Sequence, residues 1–114
     1  KKFTLVATNV PYLGRGKQSD ALKEYCAQVH PSAKAELATC FIERCGQLVA
    51  KSGSTAVVVP LGWMFLASYT EFRRKLLDRR AWNLVAKLGP RAFEGIGGEV
   101  VSVALLVMSG RRLT

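Results

Sequence analysis

Short apolar runs alternate along the chain with longer stretches in which apolar residues recur at helical spacing. Four apolar, β-rich runs are typical of strands, at residues 3–7, 55–61, 82–88 and 99–108. Residues 21–29, 33–51 and 68–80 carry apolar side chains every three to four positions, which predicts amphipathic helices. The run at residues 55–61 is apolar almost throughout, which favours a strand covered on both faces.

Local signals predict where the first two helices begin and where the second ends. Ser19 or Asp20 is suited to cap the first helix, because a short polar side chain can accept from the free amides there. Ser32 is the predicted cap of the second helix, and Ser52-Gly53 is its predicted end.

The predicted order is strand, helix, strand, helix, strand, strand. This alternation favours an α/β fold with a mostly parallel sheet of about four strands and right-handed crossovers. The last two strands have no helix between them, so we expect them to pair antiparallel as a hairpin edge at the C-terminal end. No repeat or linker interrupts the pattern, and residues 1–114 are therefore expected to form one domain.

The charge of the chain is strongly positive. Lys and Arg number 17 against 8 Asp and Glu, so the net charge is +9. Such an excess favours a polyanionic partner, of which nucleic acid is the commonest, although a solvated basic surface would have the same composition.

Cysteine and histidine usage argues against a metal site. The cysteines are odd in number, and their spacing matches no zinc or redox motif: Cys26, Cys40 and Cys45. The only histidine, His30, precedes a proline in a predicted turn. We therefore expect buried, reduced thiols and a reducing compartment, the cytoplasm.

No segment of the sequence is long enough to span a membrane. The longest apolar run, residues 100–108, contains Ser102 and is far shorter than the roughly 20 residues that a membrane-spanning helix needs. No signal peptide precedes the first strand, and the abrupt start suggests a segment of a longer protein.

The residues best suited to chemistry follow the first predicted strand. Ligands of open α/β sheets bind at the carboxyl ends of the strands. Asn9 offers one acceptor oxygen and two donor hydrogens there, and Tyr12 offers a flat aromatic face. Pro11 restricts its own backbone and that of Val10, which stiffens the loop. The stretch is suited to hold a planar base that carries an exocyclic amine.

Asn9-Val10-Pro11-Tyr12 resembles the Asn/Asp-Pro-Pro-Tyr motif of amino-methyltransferases. Further blocks in the same order resemble the large single-chain adenine-N6 DNA methyltransferases of restriction-modification and BREX phage-defence systems. These blocks are Leu13-Gly14-Arg15-Gly16-Lys17, Phe41 with Arg44, residues 57–65, Phe72-Arg73, Leu88-Gly89, Ala92-Phe93 and residues 98–101. The chain then corresponds to the C-terminal, catalytic-side half of a class I, Rossmann-like methyltransferase domain.

The resemblance implies roles for individual residues. Asn9 and the carbonyl of Val10, which stands where a proline is usual, would accept from the target amine, and Tyr12 would stack on the base. Asn9 and Pro11 would also contact S-adenosylmethionine. Phe93 would hold the flipped base from the other side.

Two further groups of residues have expected roles outside the motif. Arg15 and Lys17 are candidates for phosphate contacts because they lie in the same loop. The residues of Trp63-Met64-Phe65 are expected to pack under the rim of the sheet rather than to touch substrate.

The resemblance also implies what lies elsewhere. The glycine-rich cofactor turn and the acidic residue for the ribose belong to an upstream half, and the recognition sequence is read by a separate domain. Residues 95–98 are glycine-rich, but no helix is predicted after them, so they are rejected as a cofactor turn. The isolated chain is therefore expected to be inactive and to associate with itself through the open edge of its first strand.

Two other functions stay open at this point. One is a non-catalytic basic α/β module that at most binds nucleic acid. The other is methylation of RNA, of protein glutamine or of cytosine N4, because all three use related motifs. Asn9 argues against many cytosine-N4 enzymes, and the downstream blocks argue against the glutamine enzymes.

Overall fold

The computed structural model of the chain describes residues 1–88 and 102–110. The strands are β1 (Phe3–Asn9), β2 (Val49–Pro60), β3 (Arg80–Lys87) and β4 (Val103–Gly110). The helices are α1 (Asp20–Val29), α2 (Leu37–Leu48) and α3 (Thr70–Arg79), and short 3₁₀ turns lie at Arg15–Lys17, Gly62–Met64 and Ala67–Tyr69.

The four strands form one mixed sheet in the order β1-β2-β4-β3. β1 is parallel to β2, and β4 is antiparallel to both of its neighbours, so β1, β2 and β3 run in one direction and β4 in the other. This confirms the predicted α/β sheet of four strands with an antiparallel hairpin. Only one of the three adjacent pairs is parallel, because β4 inserts between β2 and β3.

One face of the sheet is covered by α2 and α3. The cluster beneath them is apolar and contains Ile42, Cys45, Val57, Val59, Phe72, Leu76, Leu106 and Met108. Side chains on the opposite face of the outer strands stay open, with Leu5 62% and Leu84 46% exposed. Cover on both faces was expected for residues 55–61, but the described residues cover only one face of the sheet.

The boundary between α2 and β2 differs from the prediction. The helix ends at Leu48 instead of residue 51, and the residues predicted to end it belong to β2. Gly53 lies where β1 and β2 approach closely, since a Cβ there would come within 2.7 Å of the Thr4 carbonyl oxygen. This glycine therefore permits a close strand contact rather than a helix terminus.

The start of α2 also differs from the prediction. Helix α2 begins at Leu37, and residues 31–35 form turns. Ser32 is not its cap, because the Ser32 hydroxyl is buried without a partner among the described residues. The N-cap is Glu36, whose carboxylate accepts from the amide of Ala38 at 3.4 Å. By contrast, Ser19 caps α1 as predicted and accepts from the amide of Leu22 at 3.2 Å.

The cysteines behave as predicted. Cys26, Cys40 and Cys45 are free and buried. His30 is buried at the end of α1, where its Nδ1 lies 2.7 Å from a carboxylate oxygen of Glu43. None of the helices within residues 1–88 and 102–110 has the length and apolar character needed to span a bilayer.

Candidate active site

The Asn9–Tyr12 stretch lies at the carboxyl end of β1, where the α/β pattern placed it. Asn9 is the last residue of the strand, is exposed, and pairs with Val58 of β2. Its side-chain amide makes no hydrogen bond with any other residue that the structure describes. The donors and acceptor of Asn9 are therefore available to a ligand at this edge.

Val10 fixes the position of the motif by burial. Its side chain is 3% exposed within the apolar cluster, and its amide donates to the carbonyl of Val58 at 3.4 Å. The Val10 carbonyl accepts no hydrogen bond from the described residues. An apolar side chain thus anchors the position at which the family motif has proline, and the carbonyl stays free beside Asn9.

The loop that follows is held by the residues in front of α2. The carboxylate of Glu36 accepts from the amide of Leu13, and the Leu13 carbonyl accepts from the amide of Leu37 at 3.0 Å. The Gln18 side chain donates to the same carbonyl at 3.1 Å. These bonds join the loop after Tyr12 to the start of α2, and they restrict the loop in addition to the anchor that Val10 provides.

Sequence reasoning missed Glu36. The residue types preferred as N-caps are Ser, Thr, Asp and Asn, and a nearby Ser32 drew the prediction to the wrong place. The bond from Leu13 to Glu36 spans 23 positions, so no local spacing indicates it.

Tyr12 forms the outer part of the motif. Its ring is 36% exposed, and partial burial raises the pKa of its phenol above the ordinary value of 10.0. The ring therefore remains neutral at physiological pH and presents an uncharged face at the edge that Asn9 occupies.

Arg15 and Lys17 differ in how free they are. Both belong to the 3₁₀ turn after the motif, but the Arg15 guanidinium donates to the Lys23 carbonyl of α1 at 3.3 Å. Lys17 is exposed at the protein surface. Phe93 and the glycine-rich residues 95–98 lie outside the described residues.

The loop after β2 lies at the same edge and departs from its prediction. Trp63 is 2% exposed and packs as expected, but Phe65 is 77% exposed. The expected packing is therefore wrong for Phe65.

The exposed side chains of Asn9, Pro11 and Tyr12 form an open wall at the edge of the sheet. Two cavities of about 250 and 240 Å³ lie elsewhere in the described part of the chain. The first lies between α2 and α3 and the second between α1 and α2, and residues 9–12 line neither of them. Asn9 and Pro11, which the resemblance assigns to the cofactor, are exposed on the surface.

Comparison with known proteins identifies the family of the chain. The family model for the Eco57I restriction-modification methylase matches residues 1–93. The chain belongs to the Eco57I restriction-modification methylase family.

Two curated relatives match almost the whole chain. An adenine-specific methyltransferase, PglX, of Lacticaseibacillus casei strain Zhang is 35% identical over 98% of this chain. An adenine-specific methyltransferase, BrxX, of Escherichia coli O9:H4 strain HS is 35% identical over 95% of it. The chain spans only 9% of the length of each relative.

Solved structures share the fold. A putative class I S-adenosylmethionine-dependent methyltransferase of Listeria monocytogenes matches 98% of this chain and 33% of its own, with a TM-score of 0.74 and 12% identity. The modification subunit of a putative type I restriction enzyme from Vibrio vulnificus YJ016 matches 96% of this chain and 23% of its own, with a TM-score of 0.69 and 20% identity. The EcoKI M protein matches 98% of this chain and 22% of its own, with a TM-score of 0.67 and 22% identity.

Proposed function

We propose that the chain supplies the target-amine site of an adenine-N6 DNA methyltransferase that uses S-adenosylmethionine. The observation that carries the proposal is the free amide of Asn9 at the carboxyl end of β1, beside the free carbonyl of Val10. The adenine specificity of the two curated relatives and the net charge of +9 support it.

Two acceptors aimed at one amine explain how such a site works. The exocyclic nitrogen of adenine is a poor nucleophile because its lone pair is delocalised into the ring. Hydrogen bonds from its two N–H groups to the Asn9 oxygen and the Val10 carbonyl favour a pyramidal nitrogen and localise the lone pair. Tyr12 stacks on the ring of the flipped base and holds it in register. The residues thus act by positioning and electrostatics.

The same proposal assigns part of the cofactor site to the exposed residues around Asn9. Asn9 and Pro11 would contact the methionine end of S-adenosylmethionine, which would supply an electrophilic methyl group on a sulfonium. The adenosine end then depends on residues outside the described wall. A cofactor-binding half and a target-recognition domain are the partners that this arrangement requires, and the chain spans 9% of its curated relatives.

Two finer proposals concern the surroundings of the protein. The first is the cytoplasm, which a DNA substrate and buried free thiols favour.

The second is self-association of the isolated chain. The outer edge of β1 pairs with no other described strand, and Leu5 beside it is 62% exposed. An unpaired edge with an apolar flank favours self-association of the isolated chain.

The decisive experiment is methyl transfer by the full-length protein that carries this chain. Tritiated S-adenosylmethionine and mixed-sequence DNA are incubated with wild type, with Asn9→Ala and with the control Asn83→Ala, which alters the exposed asparagine of β3. We expect Asn9→Ala to lower the rate roughly 10²–10³-fold, as for removal of other transition-state hydrogen-bond partners, with a smaller change in DNA affinity. Full activity of Asn9→Ala would overturn the proposal and leave a basic nucleic-acid-binding module.

The 114-residue chain by itself is the second test. Titration calorimetry is expected to detect no micromolar binding of S-adenosylmethionine, and the methyl-transfer assay is expected to show no turnover. The reason is that the motif forms one open wall and neither of the two cavities includes it. Micromolar binding or any turnover would show that the chain holds a complete cofactor site.

A further inference from the structure

The loop after β2 exposes an aromatic side chain at the active-site edge. Phe65 is 77% exposed and its neighbour Leu66 is 54% exposed. Phe65 has the highest exposure of any large apolar residue in the described part of the chain. The proposed target-amine site uses neither residue, so their exposure needs another explanation.

The loop is well anchored on both sides of Phe65. Trp63 is 2% exposed and stacks edge-on against Phe72, with ring centroids 5.5 Å apart. The Arg73 guanidinium donates to the carbonyls of Trp63 and Leu66, each at 2.7 Å. A charged donor thus ties the residues before and after Phe65 to α3, and the aromatic ring projects from a fixed backbone.

The same support holds this loop and the Asn9–Tyr12 loop. Tyr69 follows three residues after Leu66 and is buried beside Thr39, and this burial raises the pKa of its phenol. Thr39 donates to the carbonyl of Glu36 at 2.8 Å, and the Glu36 carboxylate holds the amide of Leu13. The loop after β1 and the loop after β2 therefore lie on either side of the turn that contains Glu36, at the carboxyl ends of neighbouring strands.

We infer that Phe65, assisted by Leu66, packs against the DNA base stack next to the adenine that leaves it. The inference rests on the proposed function and adds a contact to the DNA that remains stacked. An aromatic face stacks on any base, so this contact needs no sequence recognition. It compensates for the stacking that the duplex loses when the adenine rotates out. The exposed Lys17, in the loop after β1, offers a cation for a neighbouring phosphate.

The test compares two DNA substrates for the full-length protein. The methylated position is first located in DNA modified by the wild type. One synthetic duplex then carries that adenine paired with thymine, and the other carries it opposite an abasic site, where leaving the helix costs less. Phe65→Ala should slow methylation of the paired duplex roughly 10-fold or more, given the strength of base–aromatic stacking. It should slow methylation of the abasic duplex much less.

Two further variants separate stacking from folding. Phe65→Trp keeps an aromatic face and should retain most of the rate on the paired duplex. Leu77→Ala removes an apolar side chain of α3 that is 59% exposed, and should change neither rate. Melting curves of all variants should coincide with that of the wild type. An equal loss of rate on both duplexes by Phe65→Ala, or unchanged rates on both, would overturn the inference.

Asn9→Ala distinguishes this inference from the proposed function. It should slow methylation of both duplexes alike, because the amine acceptor acts after the base has left the helix. If Asn9→Ala is slow and Phe65→Ala is normal on both substrates, only the stacking contact is refuted. If Asn9→Ala is normal, the target-amine site itself is refuted.

Discussion

Replacing Glu36 with alanine removes the group that joins the loop after Tyr12 to α2. The carboxylate accepts from the amide of Leu13 and caps the helix at Ala38. Loss of an N-cap acceptor costs roughly 0.5–2 kcal/mol, and loss of a bond to a charged acceptor costs about 1.5–3 kcal/mol. Because Glu36 is half-buried, water replaces part of the lost hydrogen bonding in the variant. We therefore expect the free energy of unfolding to fall by about 2 kcal/mol.

Urea unfolding of the chain measures this change through tryptophan fluorescence, because Trp63 is in the core and Trp82 packs against it. With slopes of about 1–3 kcal/mol per molar urea, the midpoint should fall by roughly 0.7–2 M. Hydrogen exchange at the Leu13 amide should become faster in parallel. Glu36→Gln keeps an acceptor without the charge, so its urea midpoint should lie between those of the wild type and Glu36→Ala.

The matched control is Glu24→Ala, which removes an exposed glutamate of α1 whose side chain bonds only to Gln28 among the described residues. Its free energy of unfolding should stay within about 0.5 kcal/mol of that of the wild type. Equal midpoints for the Glu36→Ala and Glu24→Ala chains, or unchanged exchange at Leu13, would refute the role of Glu36 in holding the loop.

Three further predictions follow from other contacts. Arg73→Ala should destabilise the chain by roughly 1–3 kcal/mol in the same urea assay, because it removes the bonds to the carbonyls of Trp63 and Leu66. Arg74→Ala, at an exposed position of α3, should not destabilise it. Similar midpoints for the two variants would refute the role of Arg73 in holding the loop. Burial and the neighbouring Cys26 thiol raise the pKa of Cys40 above its ordinary 9.0. The free energy of unfolding should therefore fall as the pH rises above 9, and it should fall less in Cys40→Ala. Parallel pH profiles of the two chains would contradict the raised pKa. Leu5→Lys should reduce self-association in sedimentation velocity, and a strictly monomeric wild type at high concentration would count against the open edge of β1.

Elements with local signals were predictable from the sequence. The cap at Ser19 and the proline after His30 mark both ends of α1, and the structure places them there. The alternation of strands and helices was enough for the α/β sheet and its antiparallel hairpin. The predicted first strand, residues 3–7, is two residues shorter than β1, which runs to Asn9, but Asn9 to Tyr12 still lie at its carboxyl end.

Features decided by distant parts of the chain were not predictable. Gly53 resembles a helix terminus locally, but the carbonyl of Thr4 in another strand determines its position. Glu36 binds an amide 23 positions away. Phe65 is apolar like a core residue, but it is exposed in a loop whose carbonyls at Trp63 and Leu66 accept from Arg73 of α3. In each case the deciding partner comes from a different element, which periodicity does not report.

The place of β4 in the sheet sets the order in which the chain can be assembled. Among the described strands, β3 pairs only with β4, and β4 also pairs with β2, so β4 joins the two parts of the sheet. A ribosome releases β1 and β2 first, and they can pair at once. β3 must then wait, unpaired, for residues 103–110 to be synthesised. Any nascent chain that stops before Val103 therefore presents β3 as a free strand to chaperones and proteases.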